Sequence, residues 1–294
     1  MKLAVLGGDQ RQVFMVRRLA EAGHEVFVWG LGACGGEVGD ARVCEGWDAA
    51  VRASDAVILP LPVSLDGVRV HCPLQSEDVF LRIPALLDVV GDRFLLGGRF
   101  TDAMRGVAEQ KGGRWIDYFE SEVLQLKNAL PTAEAAISIA MHELPVTLDG
   151  SAVAVLGFGR IGSLLAEKLH GLGARVTVFA RRSEQLALAA LHHHAVARLG
   201  CKEGSTVAES LPARCRVIFN TVPQRILGVD QLKRLPKNCL LIDLASAPGG
   251  VDHNAAAKLG LKSIWATALP GRCTPESAGL ILADVIEEIL SALE

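Results

Sequence analysis

Three glycines past the middle of the chain have the spacing of a dinucleotide-binding turn. Gly157, Gly159 and Gly162 fit G-x-G-x-x-G, directly after the apolar segment AVAVL and before the amphipathic segment IGSLLAEKLHGLG. In that pattern the glycines allow a tight turn, close approach of the backbone to a pyrophosphate, and close packing of a helix on a strand. Backbone amides at the helix start, here Arg160 and Ile161, would face the phosphates. The alternative is a structural turn that has lost its ligand.

The end of the following strand bears on which dinucleotide would bind. An acidic residue about 20 residues after the glycines would bind the ribose hydroxyls of NAD. This chain has Ala180, Arg181, Arg182 and Ser183 there. Two guanidiniums and a hydroxyl suit a 2′-phosphate, because arginine offers paired donors to phosphate oxygens. The segment therefore favours NADP, and the alternative is an exposed basic turn.

Polar residues also follow two later strands of the same half. Ligands of open α/β sheets bind beyond the carboxyl ends of the strands, so both segments are expected to line the nicotinamide side of the site. For Asn220 and Asp243, a turn-forming role is an equally good interpretation. The residues assigned to the cofactor here are Asn220, Thr221, Val222, Pro223, Asp243, Ala245 and Ser246.

Short apolar segments alternate with amphipathic ones twice along the chain, which predicts parallel sheets with helices on both faces. The predicted strands of the first half are Leu3–Leu6, Glu25–Trp29, Ala56–Leu59, Phe94–Leu96 and Trp115–Ile116. Those of the second half are Ala152–Leu156, Arg175–Phe179, Val217–Asn220, Leu240–Leu244 and Ser263–Ala266. The predicted fold class is α/β, with two doubly wound, Rossmann-like parallel-sheet domains and a cleft between them.

The predicted join between the domains is one helix followed by a turn. Pro131 and Thr132 are expected to start the helix, and Leu144 before Pro145 to end it, because the residue before proline disfavours helical geometry. We therefore predict a substrate-side domain at 1–127, a linker at 128–150 and a cofactor domain at 151–274. The final helix, 275–294, carries much apolar surface, and packing back on the first domain is one option.

The chain opens with another strand–glycine turn, at Gly7, that differs from the turn at Gly157–Gly162. When the two turns are aligned, Gly7, Asp9 and Gln12 stand where the later turn has its three glycines. A carboxylate at a helix start caps the helix and repels an anion. We therefore predict that the first domain binds no dinucleotide and serves the substrate side.

Composition excludes several classes of function. The net charge of −3 argues against nucleic-acid and anionic-membrane partners. Seven cysteines without a C-x-x-C pair predict neither a disulfide framework nor a zinc site. The start, MKLAVLGG, lacks the features of a signal peptide, and no apolar run reaches the about 18–20 residues of a membrane span, so a soluble, cytoplasmic protein is expected.

The run His192-His193-His194 is not expected to bind a metal. Consecutive helical residues point about 100° apart, whereas helical histidine pairs that bind zinc are spaced i, i+4. We therefore predict no metal site.

The motifs together resemble one known family, the A subunit of dipicolinate synthase from spore-forming bacteria. The resemblance spans essentially the whole chain and rests on the segments LAVLGGDQRQ, ILPLPVS, NALPTAEAAI, VAVLGFGRIG, FNTVP, LIDLASAPGGVD and ALPGRCTPESAG. It implies an NADP-linked oxidation of dihydrodipicolinate to dipicolinate, a partner in the form of a flavoprotein-like B subunit, and the mother-cell cytoplasm during sporulation. A homo-oligomer is a further option. The second domain alone also resembles the cofactor domains of 2-hydroxyacid dehydrogenases and adenosylhomocysteinase.

A dicarboxylate substrate needs hydroxyls, amides and a cation around it, which leads to four substrate candidates. These are Ser64 in the proline-rich segment after a strand, and Asn128, Thr132 and Glu134 at the join. Thr132 and Glu134 could equally cap the linker helix. Glu134 is a candidate catalytic base only if it is buried.

Two rival functions stay open at this point. One is an NADP-linked dehydrogenase of another small acid, which a histidine with an acidic partner would favour. The other is a non-catalytic NADPH-sensing or scaffold subunit, suggested because no acid–base pair has a readable spacing.

Overall fold

The computed structural model describes residues 1–32, 37–76, 78–200, 207–212 and 214–293. Its chain divides into two compact units. The first comprises Met1–Asn128 and Pro270–Glu294, and the second comprises Ala129–Leu269. Among the described helices, none has both the length and the apolar character needed to cross a membrane.

The first unit contains a six-stranded sheet in the order β3-β2-β1-β4-β5-β6, and every pairing in it is parallel. Its strands are β1 Lys2–Leu6, β2 Glu25–Trp29, β3 Arg42–Val43, β4 Ala56–Ile58, β5 Phe94–Gly97 and β6 Arg114–Asp117. Its helices are α1 Gln10–Glu21, α2 Trp47–Arg52, α3 Ile83–Val90, α4 Asp102–Gln110 and, from the C-terminal segment, α12 Pro275–Ser291.

The second unit repeats this design, with the strand order β12-β11-β10-β7-β8-β9 and parallel pairing throughout. Its strands are β7 Ala152–Leu156, β8 Arg175–Ala180, β9 Ala195–Arg198, β10 Cys215–Asn220, β11 Leu240–Asp243 and β12 Ser263–Trp265. Its helices are α6 Arg160–Gly171, α7 Ser183–Leu191, α8 Val207–Ser210, α9 Val229–Lys233 and α10 His253–Lys258, and α11 Leu269–Cys273 begins at its last residue. The predicted α/β class with two Rossmann-like parallel-sheet folds is confirmed.

Central strands are buried on both faces, which explains why the sequence reveals them as apolar runs. All five residues of β7 are buried, and Phe179 and Phe219 on neighbouring strands are fully enclosed. The third strand of each unit in chain order, β3 or β9, is not among the strands predicted from the sequence. Both lie at a sheet edge, are short and are largely exposed, so neither gives the buried apolar run of a central strand.

The helix that follows β6, α5, starts earlier than the sequence indicates. It spans Glu122–Glu143, so Pro131 lies inside it and Thr132 is far from its start. A proline within a helix removes one backbone hydrogen bond, which normally disfavours the helix. Here packing compensates, because small residues are buried along the helix at Ala129, Ala133, Ala136 and Ala140. The boundary between the two units falls within this helix, after Asn128.

The last helix, α12, packs closely on α1 in the first unit. A methyl group added at Gly279 would lie 2.4 Å from the carbonyl oxygen of Arg11 and 2.8 Å from Cβ of Phe14. The apolar side chains of α12, including Leu282 and Ile286, join the core formed by α1 and the sheet.

The Gly279→Ala variant tests this packing. Because the new methyl group meets backbone, we expect a loss of about 1–3 kcal/mol in the free energy of unfolding. The matched control is Gly106→Ala in α4, where no described heavy atom lies within 4 Å of the added methyl group. That change should be neutral or stabilise by up to about 1 kcal/mol. Urea unfolding followed by circular dichroism measures both, and equal effects would contradict the close packing.

Candidate functional site

The glycine turn after β7 is built from contacts that exclude side chains at two positions. Gly157 has φ +95°, and a methyl group there would lie 2.4 Å from Oγ1 of Thr221. A methyl group at Gly162 would lie 2.2 Å from the carbonyl oxygen of Gly157. The first and third glycines therefore allow α6 to pack directly on the turn.

Gly159 has a different environment. It is exposed, and no described heavy atom lies within 4 Å of a methyl group added to it. Gly159 is also the N-cap of α6, and it has no side chain with which to bond the helix-start amides. Free space above a helix start of this kind accepts an anionic group, such as the pyrophosphate of a dinucleotide.

A pocket of about 190 Å³ lies beside this turn. It brings together six of the predicted cofactor residues, namely Gly157, Gly159, Arg181, Thr221, Val222 and Pro223. It also includes Phe158, Ala180, Gln185 and Leu199, which sequence reasoning missed. Nε2 of Gln185 donates to the carbonyl oxygen of Phe158 at 2.9 Å, which ties α7 to the glycine turn. The spacing of the glycines gives no signal for such a contact.

The end of β8 carries the basic residues predicted to recognise a 2′-phosphate. Arg181 is exposed, and its Nη1 donates to Oε1 of Gln224 at 3.2 Å. Arg182 is exposed too, and its Nε lies 3.5 Å from a carboxylate oxygen of Glu184. Ser183 begins α7 at the same place. The three residues are therefore adjacent and accessible, although only Arg181 lines the pocket.

Asn220 and Asp243 are fully buried and bonded to each other, with Nδ2 of Asn220 donating to Oδ1 of Asp243 at 2.7 Å. The other oxygen of Asp243 accepts backbone N–H bonds from Gly250 at 2.8 Å and Val251 at 3.0 Å. The side chain of Asn220 likewise bonds both backbone groups of Val222. The geometry matches the turn-forming interpretation, since these two side chains hold the loops that follow β10 and β11.

Four further predicted cofactor residues, Ala245, Ser246, Arg160 and Ile161, are not among the residues that line the pocket. Ala245 is buried within the loop after β11, and its carbonyl oxygen accepts from Nε1 of Trp265 at 2.9 Å, whereas Ser246 in the same loop is exposed. Arg160 is exposed and Ile161 is half-buried in the first turn of α6.

The first strand–glycine turn, in the other unit, is closed by its own chain. Asp9 caps α1 in a reciprocal capping box with Gln12, as its position predicted. Oδ2 of Asp9 also pairs with Nη2 of Arg11 at 2.8 Å. Burial alone would raise the pKa of Asp9, but the hydrogen bonds and charge of Arg11 outweigh it and hold that pKa below its usual value.

The loop after β4 fills the space above the same turn. The amide of Gly8 donates to the carbonyl oxygen of His71 at 2.8 Å, and a methyl group at Gly7 would lie 2.4 Å from Sγ of Cys72. Burial raises the pKa of the Cys72 thiol to about 11, so the thiol is neutral and acts as a packing group. A phosphate at this turn would have to displace these contacts.

The predicted substrate residues have local partners. The hydroxyl of Ser64 donates to Oδ1 of Asp66 and accepts from the amide of Gly67, each at 3.0 Å, which is a turn arrangement. Thr132 is buried inside α5 and Asn128 is half-buried in it. Because α5 begins at Glu122, neither Thr132 nor Glu134 caps it.

Glu134 lies on the exposed side of α5. Its Oε1 pairs with Nζ of Lys168 at 2.9 Å, and its side chain is 54% exposed. The burial that a catalytic base would require is therefore missing at this position.

The histidine run contributes to packing. His194 is buried, with its ring centroid 5.5 Å from that of His170 and 6.5 Å from that of His192. Burial lowers the pKa of His194, so its ring is neutral near pH 7. Within the described ranges, no group of three His, Cys, Asp or Glu side chains is arranged to hold a metal ion.

Comparison with known proteins matches each half of the chain to a protein-family model. Residues 112–264 match the family model described as the NAD binding domain of D-isomer specific 2-hydroxyacid dehydrogenase. Residues 2–119 match the model of the N-terminal domain of the dipicolinate synthase A subunit. The chain is thus a dehydrogenase-like oxidoreductase with a nicotinamide dinucleotide cofactor.

Full-length relatives narrow this class to one family. The A subunit of dipicolinate synthase from Bacillus subtilis (strain 168) is 30% identical over 297 residues, covering 100% of this chain and 97% of that protein. The chain belongs to the family of dipicolinate synthase A subunits.

Solved structures agree with this assignment. The structure of the dipicolinate synthase A subunit from Bacillus halodurans has a TM-score of 0.88 and 28% identity, covering 98% of this chain and 97% of that one. The corresponding Bacillus subtilis structure has a TM-score of 0.84 and 29% identity, with coverages of 99% and 96%. An L-alanine dehydrogenase structure, at 18% identity and a TM-score of 0.69 over 99% of this chain and 89% of that one, shares the fold.

Two glycine variants separate cofactor contact from folding. Gly159→Ala adds a methyl group into free space, so we expect unchanged stability but at least about tenfold weaker dinucleotide binding, because the group blocks the approach of the pyrophosphate. Gly162→Ala meets the Gly157 carbonyl, so it should lower stability by about 1–3 kcal/mol as well.

Calorimetric titration with dinucleotide and urea unfolding measure the two effects, and Gly171→Ala at the far end of α6 is the control. Normal binding by Gly159→Ala would refute the placement of the pyrophosphate at this turn.

Proposed function

We propose that this chain oxidises dihydrodipicolinate to dipicolinate, with NADP as the hydride acceptor, and is the catalytic A subunit of dipicolinate synthase. The observation that carries the proposal is the full-length relation to the dipicolinate synthase A subunit, combined with an open helix start at Gly159. The choice of NADP is supported by the end of β8, where Arg181, Arg182 and Ser183 stand in the place of a carboxylate.

Each part of the cofactor has residues of the second unit to hold it. Gly157, Gly159 and the first amides of α6, including Gly162, would bind the pyrophosphate, and the basic turn after β8 would bind the 2′-phosphate. Thr221, Val222 and Pro223 line the same pocket and are oriented by the buried Asn220–Asp243 pair. Ala245 and Ser246 follow Asp243 on the neighbouring loop and would complete the nicotinamide side.

The bound cofactor supplies an acceptor for one hydride. The substrate also releases one proton as its ring becomes aromatic, so the balanced reaction gives dipicolinate, reduced cofactor and a proton. Because aromatisation favours product strongly, the chief requirement on the protein is orientation of the two reactants, which can lower a barrier by several kcal/mol.

The dicarboxylate needs hydrogen-bond donors, and Ser64, Asn128 and Thr132 stay our proposed contacts. The hydroxyl of Ser64 would have to turn away from Asp66 to donate to the substrate. Glu134 is not retained as the base, because its carboxylate is exposed and paired with Lys168. Proton release to water is compatible with this chemistry. Loss of the hydride leaves the pyridine ring in a protonated form, and this form releases its proton readily.

The family also supports a setting for the reaction. We propose that the chain works with a flavoprotein-like B subunit in the mother-cell cytoplasm during sporulation. The net charge of −3 is compatible with this setting and provides no general basis for binding nucleic acid.

The decisive assay supplies enzymatically generated dihydrodipicolinate with NADP and follows the absorbance of reduced cofactor, with and without the B subunit. We expect reduction, and dipicolinate as the product, in at least one condition. D-Lactate, as a control substrate of the broader dehydrogenase class, should give none. Reduction with D-lactate alone would favour a dehydrogenase of another small acid, and cofactor binding without any turnover would favour a sensing or scaffold subunit.

The basic turn makes a separate prediction. Replacing Arg181 and Arg182 together by alanine removes two cations from the place proposed for the 2′-phosphate. Hydrogen bonds to charged groups contribute about 1.5–3 kcal/mol each, so NADP affinity should fall at least about tenfold, while NAD affinity changes little. Fluorescence titration of both cofactors measures this, and unchanged NADP affinity would show that the 2′-phosphate assignment is wrong.

A further inference from the structure

An arginine from the unpredicted edge strand reaches the turn after β8. Arg198 is the last residue of β9 and is paired in register with Ala180, the last residue of β8. Its Nη1 donates to the carbonyl oxygen of Arg181 at 2.9 Å, and its Nη2 donates to Oγ of Ser183 at 2.8 Å. One guanidinium therefore bridges the two ends of the basic turn.

Arg198 fixes the orientation of the Ser183 hydroxyl and also adds a positive charge to the turn. Because Oγ of Ser183 accepts from Arg198, its own hydroxyl hydrogen is available for another acceptor. The two bonds also leave other N–H donors of the Arg198 guanidinium for a ligand. Arg198 is exposed, so an anion can approach it from solvent.

The charges of the turn favour a role for a third arginine. Nε of Arg182 lies near the carboxylate of Glu184, which offsets part of its charge. Nη1 of Arg181 already donates to Gln224. Arg198 adds a cation whose two contacts here are with neutral oxygens, so its full charge can act on a bound phosphate.

We propose that Arg198 completes the binding site for the 2′-phosphate of NADP, by holding Ser183 in a donating orientation and by pairing with the phosphate itself. Arg198 is thus a specificity-determining residue, which makes NADP bind better than NAD. This inference rests on the proposed use of NADP and adds a residue from a different strand to it.

The test compares wild type, Arg198→Gln and Arg198→Lys by calorimetric titration with four probes: NADP, NAD, 2′,5′-ADP and 5′-ADP. We expect Arg198→Gln to bind NADP and 2′,5′-ADP at least about tenfold more weakly, with NAD and 5′-ADP changed less than about twofold. Arg198→Lys should recover part of the loss, because it keeps the charge but cannot bridge the Arg181 carbonyl and Ser183 as a fork. Arg175→Gln is the matched control, since Arg175 is an exposed arginine at the opposite end of β8.

The outcomes separate this inference from the proposed function. If wild type does not prefer NADP, the proposed cofactor is wrong and the role of Arg198 is wrong with it. If wild type prefers NADP and Arg198→Gln keeps that preference, only the role of Arg198 is refuted. Equal weakening of NADP and NAD by Arg198→Gln would refute it too, since it would show that Arg198 merely supports the turn. Thermal unfolding of each variant, compared with Arg175→Gln, verifies that the fold is retained.

Discussion

The close contact between the start of α6 and the turn after β7 is the constraint on which the candidate cofactor site depends. At Gly162 the helix lies so near the Gly157 carbonyl that even a methyl group would be 2.2 Å from it. This approach directs the first amides of α6 into the space beside Gly159, and a larger residue at either end would move the helix away. Thr221 packs against Gly157 and Gly162, and its hydroxyl donates to the carbonyl oxygen of Leu156 at 2.9 Å.

The two units show how one architecture gives two different helix starts. Both sheets have the same strand order, and each has a glycine turn after its first strand. In the second unit the N-cap of α6 is Gly159, which has no side chain to bond the first amides of the helix. In the first unit the N-cap of α1 is Asp9, whose carboxylate bonds those amides and pairs with Arg11. The N-cap residue, together with the loop after β4 that covers the Gly7 turn, makes the first turn unsuitable for an anion.

The sequence was informative where physical constraints act locally. Buried parallel strands such as β7 are apolar along their whole length. Gly157 and Gly162 meet contacts that exclude a side chain, whereas Gly159 leaves space above the start of α6. The capping role of Asp9 followed in the same way from its place at a helix start.

Features that depend on tertiary packing could not be predicted. The edge strand β9 has only four residues and is largely exposed, so the sequence does not reveal it as a strand and cannot place Arg198 next to Ser183. Helix α5 continues through Pro131 because buried alanines hold it in place, which outweighs the local effect of proline. The burial of Asn220 and Asp243 likewise arises from the meeting of two strands that are distant in the chain.

The most direct test is a crystal structure of the chain with NADP bound. We expect one dinucleotide per chain, with its pyrophosphate at the start of α6 and its 2′-phosphate within hydrogen-bond distance of Arg181, Ser183 and Arg198. A dinucleotide at the Gly7 turn, or a 2′-phosphate directed away from these residues, would contradict this expectation.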